Sequence, residues 1–306
     1  MSLQGKTIFM SGGSRGIGLA IAKRCARDGA NIAIAAKTAQ PHPKLAGTIY
    51  TAAKEIEAAG GNALPLVCDI RDEQAVDKAV DACVDKFGRI DICINNASAV
   101  SPTPTTATPM KRYDLMNQVN ARGTFLLSQK CYPHLKKREN PHIVNLAPPL
   151  DMSPRWFKHH TAYTMAKYGM SMCTLGMAEE FRKDGIAVNS LWPMTSIDTA
   201  AVRNILGGDS MAKMSRTPAI MADAAYLLVN QNAKDYTGQF VIDEFILASA
   251  GEADFKQYNQ AGYDGPLAAD FFIPSDWVAR SKSNVCLLYT SPSPRDQRGS
   301  RMPSSA

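Results

Sequence analysis

Apolar and polar positions switch between two periods along most of this chain. The run Thr7-Ile8-Phe9-Met10, closed by Ser11-Gly12-Gly13, predicts a short strand. From 16 to 28, Ile17, Ala20, Ile21 and Cys25 recur at helical steps, and Gly29 stops the helix. The next strand, 31–36, is almost wholly apolar, as expected when both faces of a parallel sheet are covered. The same reading gives a helix over 48–59 before Gly60-Gly61, a strand over 63–68, and a helix over 72–87 before Gly88. A strand over 90–95, a long helix over 111–136 and a strand over 142–146 follow. The series ends with a helix over 162–183 before Gly185, a strand over 186–192, a helix over 223–230 and a strand over 239–243. Strands alternating with helices predict an α/β fold, one doubly wound parallel sheet with helices on both faces. Such sheets bind ligands beyond the carboxyl ends of their strands.

No linker or repeat interrupts the alternation, so 1–247 reads as one domain. Residues 248–285 break the rhythm but carry Phe255, Tyr258, Tyr263, Phe271, Phe272 and Trp277. That is too aromatic for a solvated tail and predicts an extension packed on the domain or on a partner subunit. Residues 286–306 resemble the translation of a sequencing-library adapter. They are expected to be non-native, the native C-terminus being lost; a Ser/Pro-rich disordered tail is the alternative.

Composition narrows the class. The 306 residues are 45% hydrophobic and 20% charged, which excludes a disordered, collagen-like or disulfide-miniprotein chain. No apolar run is long enough for a membrane span, and the start lacks the plan of a signal peptide. The net charge of +6 is dispersed among acidic residues, unlike a nucleic-acid groove. Seven scattered cysteines form no Cys-x-x-Cys pair and read as reduced thiols of a cytoplasmic protein. The five histidines lack metal-ligand spacing, so no metal is expected.

Two motifs carry chemistry. Ser11-Gly12-Gly13-Ser14-Arg15-Gly16-Ile17-Gly18 lies between the first strand and first helix. Glycines there allow a tight turn and close approach to a pyrophosphate at a helix N-terminus, the Rossmann-type arrangement. The second strand ends in Ala36-Lys37-Thr38, without the carboxylate that would bind the ribose hydroxyl of NAD. Lys37 and Arg15 suit the 2′-phosphate of NADP instead, which favours NADP over NAD. Tyr163 and Lys167 share one helix face, and a neighbouring lysine favours the phenolate, making Tyr163 a candidate acid–base for a carbonyl or alcohol.

The glycine turn, Asn95-Asn96-Ala97, Asn120 and Tyr163-x-x-x-Lys167 together resemble the short-chain dehydrogenase/reductase family over residues 5–245. The runs 35–45, 147–150 and 162–172 are similar to its hydroxysteroid dehydrogenase-like protein 2 group and bacterial relatives. The resemblance implies that Tyr163, Lys167 and Asn120 are catalytic, Asn120 holding a proton-relay water. It implies that Ser11, Gly12, Ser14, Arg15, Gly16, Ile17, Gly18 and Lys37 bind the cofactor, that Asp69 contacts the adenine, and that Asn95 and Ala97 line the cofactor. Lys167 would bind the nicotinamide ribose; Pro193, Ile197 and Thr199 would touch the nicotinamide end. It also implies a homodimer or homotetramer built on the helices 111–136 and 162–183. The group's eukaryotic members add a sterol-carrier domain and a peroxisomal address, neither of which is found in these residues.

The departures concern the catalytic serine. Ala147 stands where the related group keeps it, Pro148 where the wider family does, and Leu150 thirteen residues before Tyr163. Asn-Asn-Ala is followed by Ser98 rather than glycine, and Pro193 by Met194. Losing one hydrogen-bond donor to the reacting oxygen costs about 10²–10³ in rate. Ser153 or Thr161 is the candidate replacement if the loop 148–160 folds back. Two readings follow. One is an NADP-dependent oxidoreductase acting on a small hydrophobic carbonyl or secondary alcohol, lipid-, terpenoid- or steroid-like, in a pocket of Met152, Trp156, Phe157, Leu191 and Trp192. The other is an NADP-binding pseudoenzyme, a scaffold or redox sensor.

Overall fold

In the computed structural model, residues 2–43 and 45–287 are described; the expected non-native tail lies outside them from 288 onward. Seven strands form one parallel sheet: β1 (Thr7–Ser11), β2 (Asn31–Ala36), β3 (Asn62–Val67), β4 (Ile92–Asn95), β5 (His142–Asn145), β6 (Ala187–Trp192) and β7 (Phe240–Ile242). Their order is β3-β2-β1-β4-β5-β6-β7. The chain therefore winds outward to β3, returns to place β4 beside β1, and winds the other way. Loops leaving β1 and β4 diverge at that reversal and open a crevice.

Both faces are covered. On one lie α1 (Gly16–Ala26), α2 (Ile49–Ala58) and α8 (Ala219–Val229), with Ile21, Cys25, Ile56 and Leu228 buried against Ile8, Ile32 and Ile94. On the other lie α3 (Glu73–Phe87), α5 (Gly123–Leu135) and α6 (Thr161–Glu180), with Val76, Leu127 and Met177 against Phe9, Cys93 and Val188. Local chemistry sets the ends. The Thr48 hydroxyl accepts from the Thr51 amide at the start of α2, and Asp72 accepts from the Ala75 amide at the start of α3.

Four elements depart from the periodicity. The helix expected over 111–136 is α4 (Met110–Asn117) and α5, joined by a single π turn, Gln118–Arg122. The helix expected at 223 starts at 219, just after Pro218 at its cap. Two short helices, α7 (Gly208–Lys213) and α9 (Asp243–Ser249), escaped the pattern; α9 begins at Asp243, where the last strand was expected to end.

The extension packs on its own domain, burying Phe255, Tyr258, Phe271 and Phe272. It contains β8 (Leu267–Ala268), α10 (Ser275–Ala279) and β9 (Val285–Cys286); β8 pairs with β9, so Cys286 takes part in the fold. Its far end is held by a fully buried ion pair, Arg216 to Glu244 at 2.8 Å. Glu244 also accepts from the Ser281 hydroxyl at 2.7 Å and the Lys282 amide at 2.5 Å, and Arg216 donates to the Ser283 hydroxyl. Among the described residues no helix is long and apolar enough to cross a membrane.

Breaking a buried pair leaves the surviving charge without compensation, at a cost of about 3–5 kcal/mol. Glu244→Ala is expected to lower the urea midpoint accordingly and to expose 281–283 to proteolysis. An unchanged midpoint with intact protease resistance would show that the pair does not hold the extension.

Candidate active site

The glycine turn is built for close approach. Gly12 has φ +74°, and a Cβ there would lie 2.8 Å from Ala97 Cα. A Cβ on Gly18 would lie 2.5 Å from Asn96 Nδ2. Neither position accommodates a side chain. The Ser11 hydroxyl accepts from the amides of Asn96 and Ala97, both at 3.2 Å, and Asn96 Nδ2 donates to the Gly12 carbonyl at 2.8 Å. These bonds tie the loop after β1 to the loop after β4. The cleft above them has a volume of about 530 Å³ and is lined by Gly12, Ser14, Arg15, Gly16, Ile17, Lys37, Asp69, Ala97 and Thr199. Its backbone turn at a helix N-terminus fits a dinucleotide pyrophosphate.

Other expected cofactor residues sit behind that surface. Asn95 donates to Ser128 Oγ at 2.9 Å and to Asn145 Oδ1 at 2.8 Å, bracing strand ends rather than facing the cleft. Ile197 is buried in the core. At the ribose end Lys37 is exposed, 3.4 Å from Asp69. Asp69 forms a forked pair with Arg71, 2.7 Å at the shortest contact; hydrogen bonds from Arg71 hold its carboxyl well below the usual range. Arg15 donates to the carbonyls of Ala46 and Gly47 at 3.1 and 2.8 Å, which clamps the loop after β2 over the cleft. Neither the Lys37–Asp69 contact nor the Arg15 tether is legible in the sequence, because the partners lie far apart along the chain.

At the other end, Tyr163 and Lys167 stand in the first two turns of α6, 5% and 2% exposed. Lys167 Nζ donates to the Leu146 carbonyl just past β5 at 2.7 Å, meets Met170 Sδ at 3.4 Å, and lies 4.8 Å from the Trp192 ring centre at the end of β6. Burial lowers its pKa to about 7, with Asp270 acting the other way. Asn120 is fully buried in the π turn. Its Oδ1 accepts from the Ala99 amide at 2.8 Å, and its Nδ2 donates to the Ala99 carbonyl at 3.0 Å, fastening the helix to the loop after β4. Single π turns of this kind are frequent at functional sites.

The ring of Tyr163 is enclosed by side chains that periodicity could not place. His160, Phe271 and Phe272 stand 6.2, 6.1 and 6.0 Å from it, centre to centre. Trp156 and Trp192 pack on Phe272. Of the expected pocket residues, Trp156, Phe157 and Trp192 belong to this cluster. Met152 does not, being 64% exposed, and Leu191 lies in the sheet core because its side chain points to the α8 face. The loop 148–160 does fold back: Tyr168 Oη donates to the Asp151 carbonyl at 2.5 Å, and Ser171 Oγ to the Pro148 carbonyl at 2.7 Å. Thr161, however, donates its hydroxyl to the Phe157 carbonyl at 2.8 Å, so its proton is spent on the loop that precedes its helix. Ala147 is fully buried. An acid inside an otherwise apolar run, Leu267-Ala268-Ala269-Asp270-Phe271-Phe272-Ile273, was the overlooked signal that the extension enters the site.

Comparison with known proteins agrees with this geometry. Residues 6–207 match the short chain dehydrogenase family. Hydroxysteroid dehydrogenase-like protein 2 of Danio rerio is 58% identical over 286 residues, covering 92% of this chain and 68% of that protein. The chain thus spans about half to two thirds of the length of such relatives, 64% for that of Xenopus tropicalis and 51% for that of Rattus norvegicus. A crystal structure from Xanthomonas campestris, described as a dehydrogenase, is 53% identical with a TM-score of 0.87, covering 90% of this chain and all of the other. A metagenomic short-chain oxidoreductase in complex with NADP is 25% identical with a TM-score of 0.65, covering 79% and 98%. The chain belongs to the short-chain dehydrogenase/reductase family of oxidoreductases.

Proposed function

We propose that this chain is an NADP-dependent oxidoreductase acting on a carbonyl or secondary alcohol of a hydrophobic, lipid-, terpenoid- or steroid-like substrate. One observation carries the reading: Tyr163 and Lys167 are buried together at the carboxyl ends of β5 and β6, in an aromatic enclosure, with the glycine turn beyond β1. Bound nicotinamide supplies or accepts hydride at the substrate carbon. In reduction, Tyr163 gives the proton of its Oη to the carbonyl oxygen; in oxidation it takes the hydroxyl proton back. Lys167 stabilises the resulting phenolate and holds the nicotinamide ribose. Asn120, fixed by Ala99, orients the water that returns the proton. Trp156, Trp192, Phe271 and Phe272 exclude water from the reacting carbon and select apolar substrates.

Lys37 and Arg15 beside the ribose end, with no carboxylate closing β2, support NADP over NAD. The metagenomic relative that holds NADP is consistent with this. The half-exposed Phe125, Met165, Met172 and Leu175 on α5 and α6 support a homodimer or homotetramer built on those helices. Five buried thiols, none of them paired, suit a cytoplasmic setting.

Ala147 gives the second reading substance, since no serine hydroxyl stands at that position. Tyr163→Phe separates the two. For the enzyme, turnover of an apolar carbonyl is expected to fall by about 10²–10⁴ while NADPH affinity holds. Tight NADPH binding with turnover indifferent to the substitution would instead favour the scaffold or sensor. Lys37→Glu is expected to weaken NADPH by about tenfold relative to NADH in fluorescence titration, near the lower limit for a charge-assisted bond because Lys37 is exposed. An unchanged ratio would remove Lys37 from cofactor choice. Met172→Glu with Leu175→Glu is expected to yield monomers in sedimentation velocity; an unaltered assembly would place the interface elsewhere.

A further inference from the structure

The catalytic end is closed. Tyr163 and Lys167 are almost fully buried, and the lining of the cofactor cleft runs to Ala99, Val100, Leu115 and Val119 without including either. A carbonyl carbon meets Tyr163 Oη only if part of the enclosure moves. Most of the enclosure is pinned. Trp192 lies in the sheet, paired with Ile242. The loop 148–160 is tied by Tyr168 and Ser171, by the Trp156 indole to Asp151 Oδ2 at 2.7 Å, and by the Thr164 hydroxyl to the Trp156 carbonyl. His160 is bonded to Thr164 at 2.9 Å.

The turn 271–273 is held differently. The backbone is anchored before it, where the Asp270 amide donates to the Met194 carbonyl at 3.1 Å and the Ser196 amide to the Ala268 carbonyl at 2.9 Å. It is anchored again after it, where the Trp277 amide donates to the Pro274 carbonyl at 3.0 Å and Arg155 donates to Ser275 Oγ at 2.6 Å. Between these points Phe272 and Ile273 are fully buried, yet among the described residues their backbone groups make no hydrogen bond. Buried backbone groups are nearly always paired, so this turn is the least satisfied part of the enclosure. Phe272 adds a φ of +69°, which is costly for an aromatic residue. The bond that draws the turn onto the site runs from Trp192 Nε1 to the Phe271 carbonyl at 2.7 Å. Its donor is the side chain whose ring lies over the Lys167 ammonium.

We propose that the turn 271–273 is the entrance gate of the site, shut over Tyr163 in this structure and swinging between Asp270 and Pro274 to admit substrate. Opening breaks the Trp192–Phe271 bond, lifts both phenylalanine rings from Tyr163 and relaxes Phe272 to an ordinary φ. The unpaired backbone groups of Phe272 and Ile273 then reach water, which offsets part of the aromatic contact that is lost. Closure over the bound substrate excludes water from the reacting carbon. The proposal rests on the oxidoreductase reading above for what passes the gate.

The test follows the Trp192 indole N–H, one of three indole signals in the chain, by NMR of the ¹⁵N-labelled full chain. The signal is assigned by its loss in Trp192→Phe. Local opening exposes this N–H to hydrogen exchange while the sheet stays folded, so its protection is expected to be at least about tenfold below that of the Ile143 and Val144 amides in β5. Phe272→Gly is expected to lower it by about tenfold more, with the sheet amides unaltered. With NADPH and cyclohexanol, a pair that cannot react, the Trp192 signal is expected to move while that of Trp277, beyond Pro274, stays. Protection equal to that of the sheet amides, or an exchange rate unchanged in Phe272→Gly, would overturn the proposal. So would a Trp192 signal that stays in place while cyclohexanol binds, binding being scored by inhibition of carbonyl turnover. Absence of Tyr163-dependent turnover and of cyclohexanol binding would sink the oxidoreductase reading instead, and the exchange rates would still decide whether the turn opens.

Discussion

A lysine ammonium held away from water is the demand that organises this molecule. Taking such a charge out of solvent costs several kcal/mol unless dipoles and counter-charges replace the lost hydration. Lys167 receives a carbonyl from the end of β5 and an indole face from the end of β6, and that indole in turn donates to the Phe271 carbonyl of the extension. Each comes from a different part of the chain. The sheet order, the rotation of α6 and the path of the extension all have to be right before the lysine can sit where it does.

The sheet meets that demand through polar bonds as well as apolar packing. Ser128, Asn95, Asn145, Thr174 and Ser190 form a buried chain of side chains at 2.8–2.9 Å spacing, running from α5 through β4, β5 and α6 to β6. Buried polar groups are costly unless paired, so the chain penalises any slip of these strands against the helices. It lies under the cleft and sets the platform from which the loops after β4, β5 and β6 depart. Those loops carry Ala97, Leu146 and Met194, the backbone points against which Ser11, Lys167 and Asp270 are fixed.

The extension converts a nucleotide-binding sheet into an enclosed reaction site. Phe271 and Phe272 close over Tyr163, and Phe272 adopts φ +69°, a conformation costly for an aromatic residue. The surrounding contacts sustain it: Trp156, Tyr168 and Trp192 all pack on the same ring. The buried Arg216–Glu244 pair secures the chain further on, at 281–283. The enclosure of the Tyr163 ring thereby falls to residues outside the alternating strands and helices.

The sequence by itself determined the seven strands, the doubly wound class, the glycine turn and the Tyr163–Lys167 face. These depend on periodicity and on spacing within one element, which a linear reading resolves. Tertiary structure alone decided the π turn at Asn120, the pairing of Lys37 with Asp69 and the diversion of the Thr161 hydroxyl to the Phe157 carbonyl. It also decided that Phe271 and Phe272 of the extension close on the Tyr163 ring. Each of these depends on which backbone group or distant side chain happens to lie within reach. Hydrophobic period carries no information about that, because the same apolar residue satisfies a core, a pocket wall or a lid.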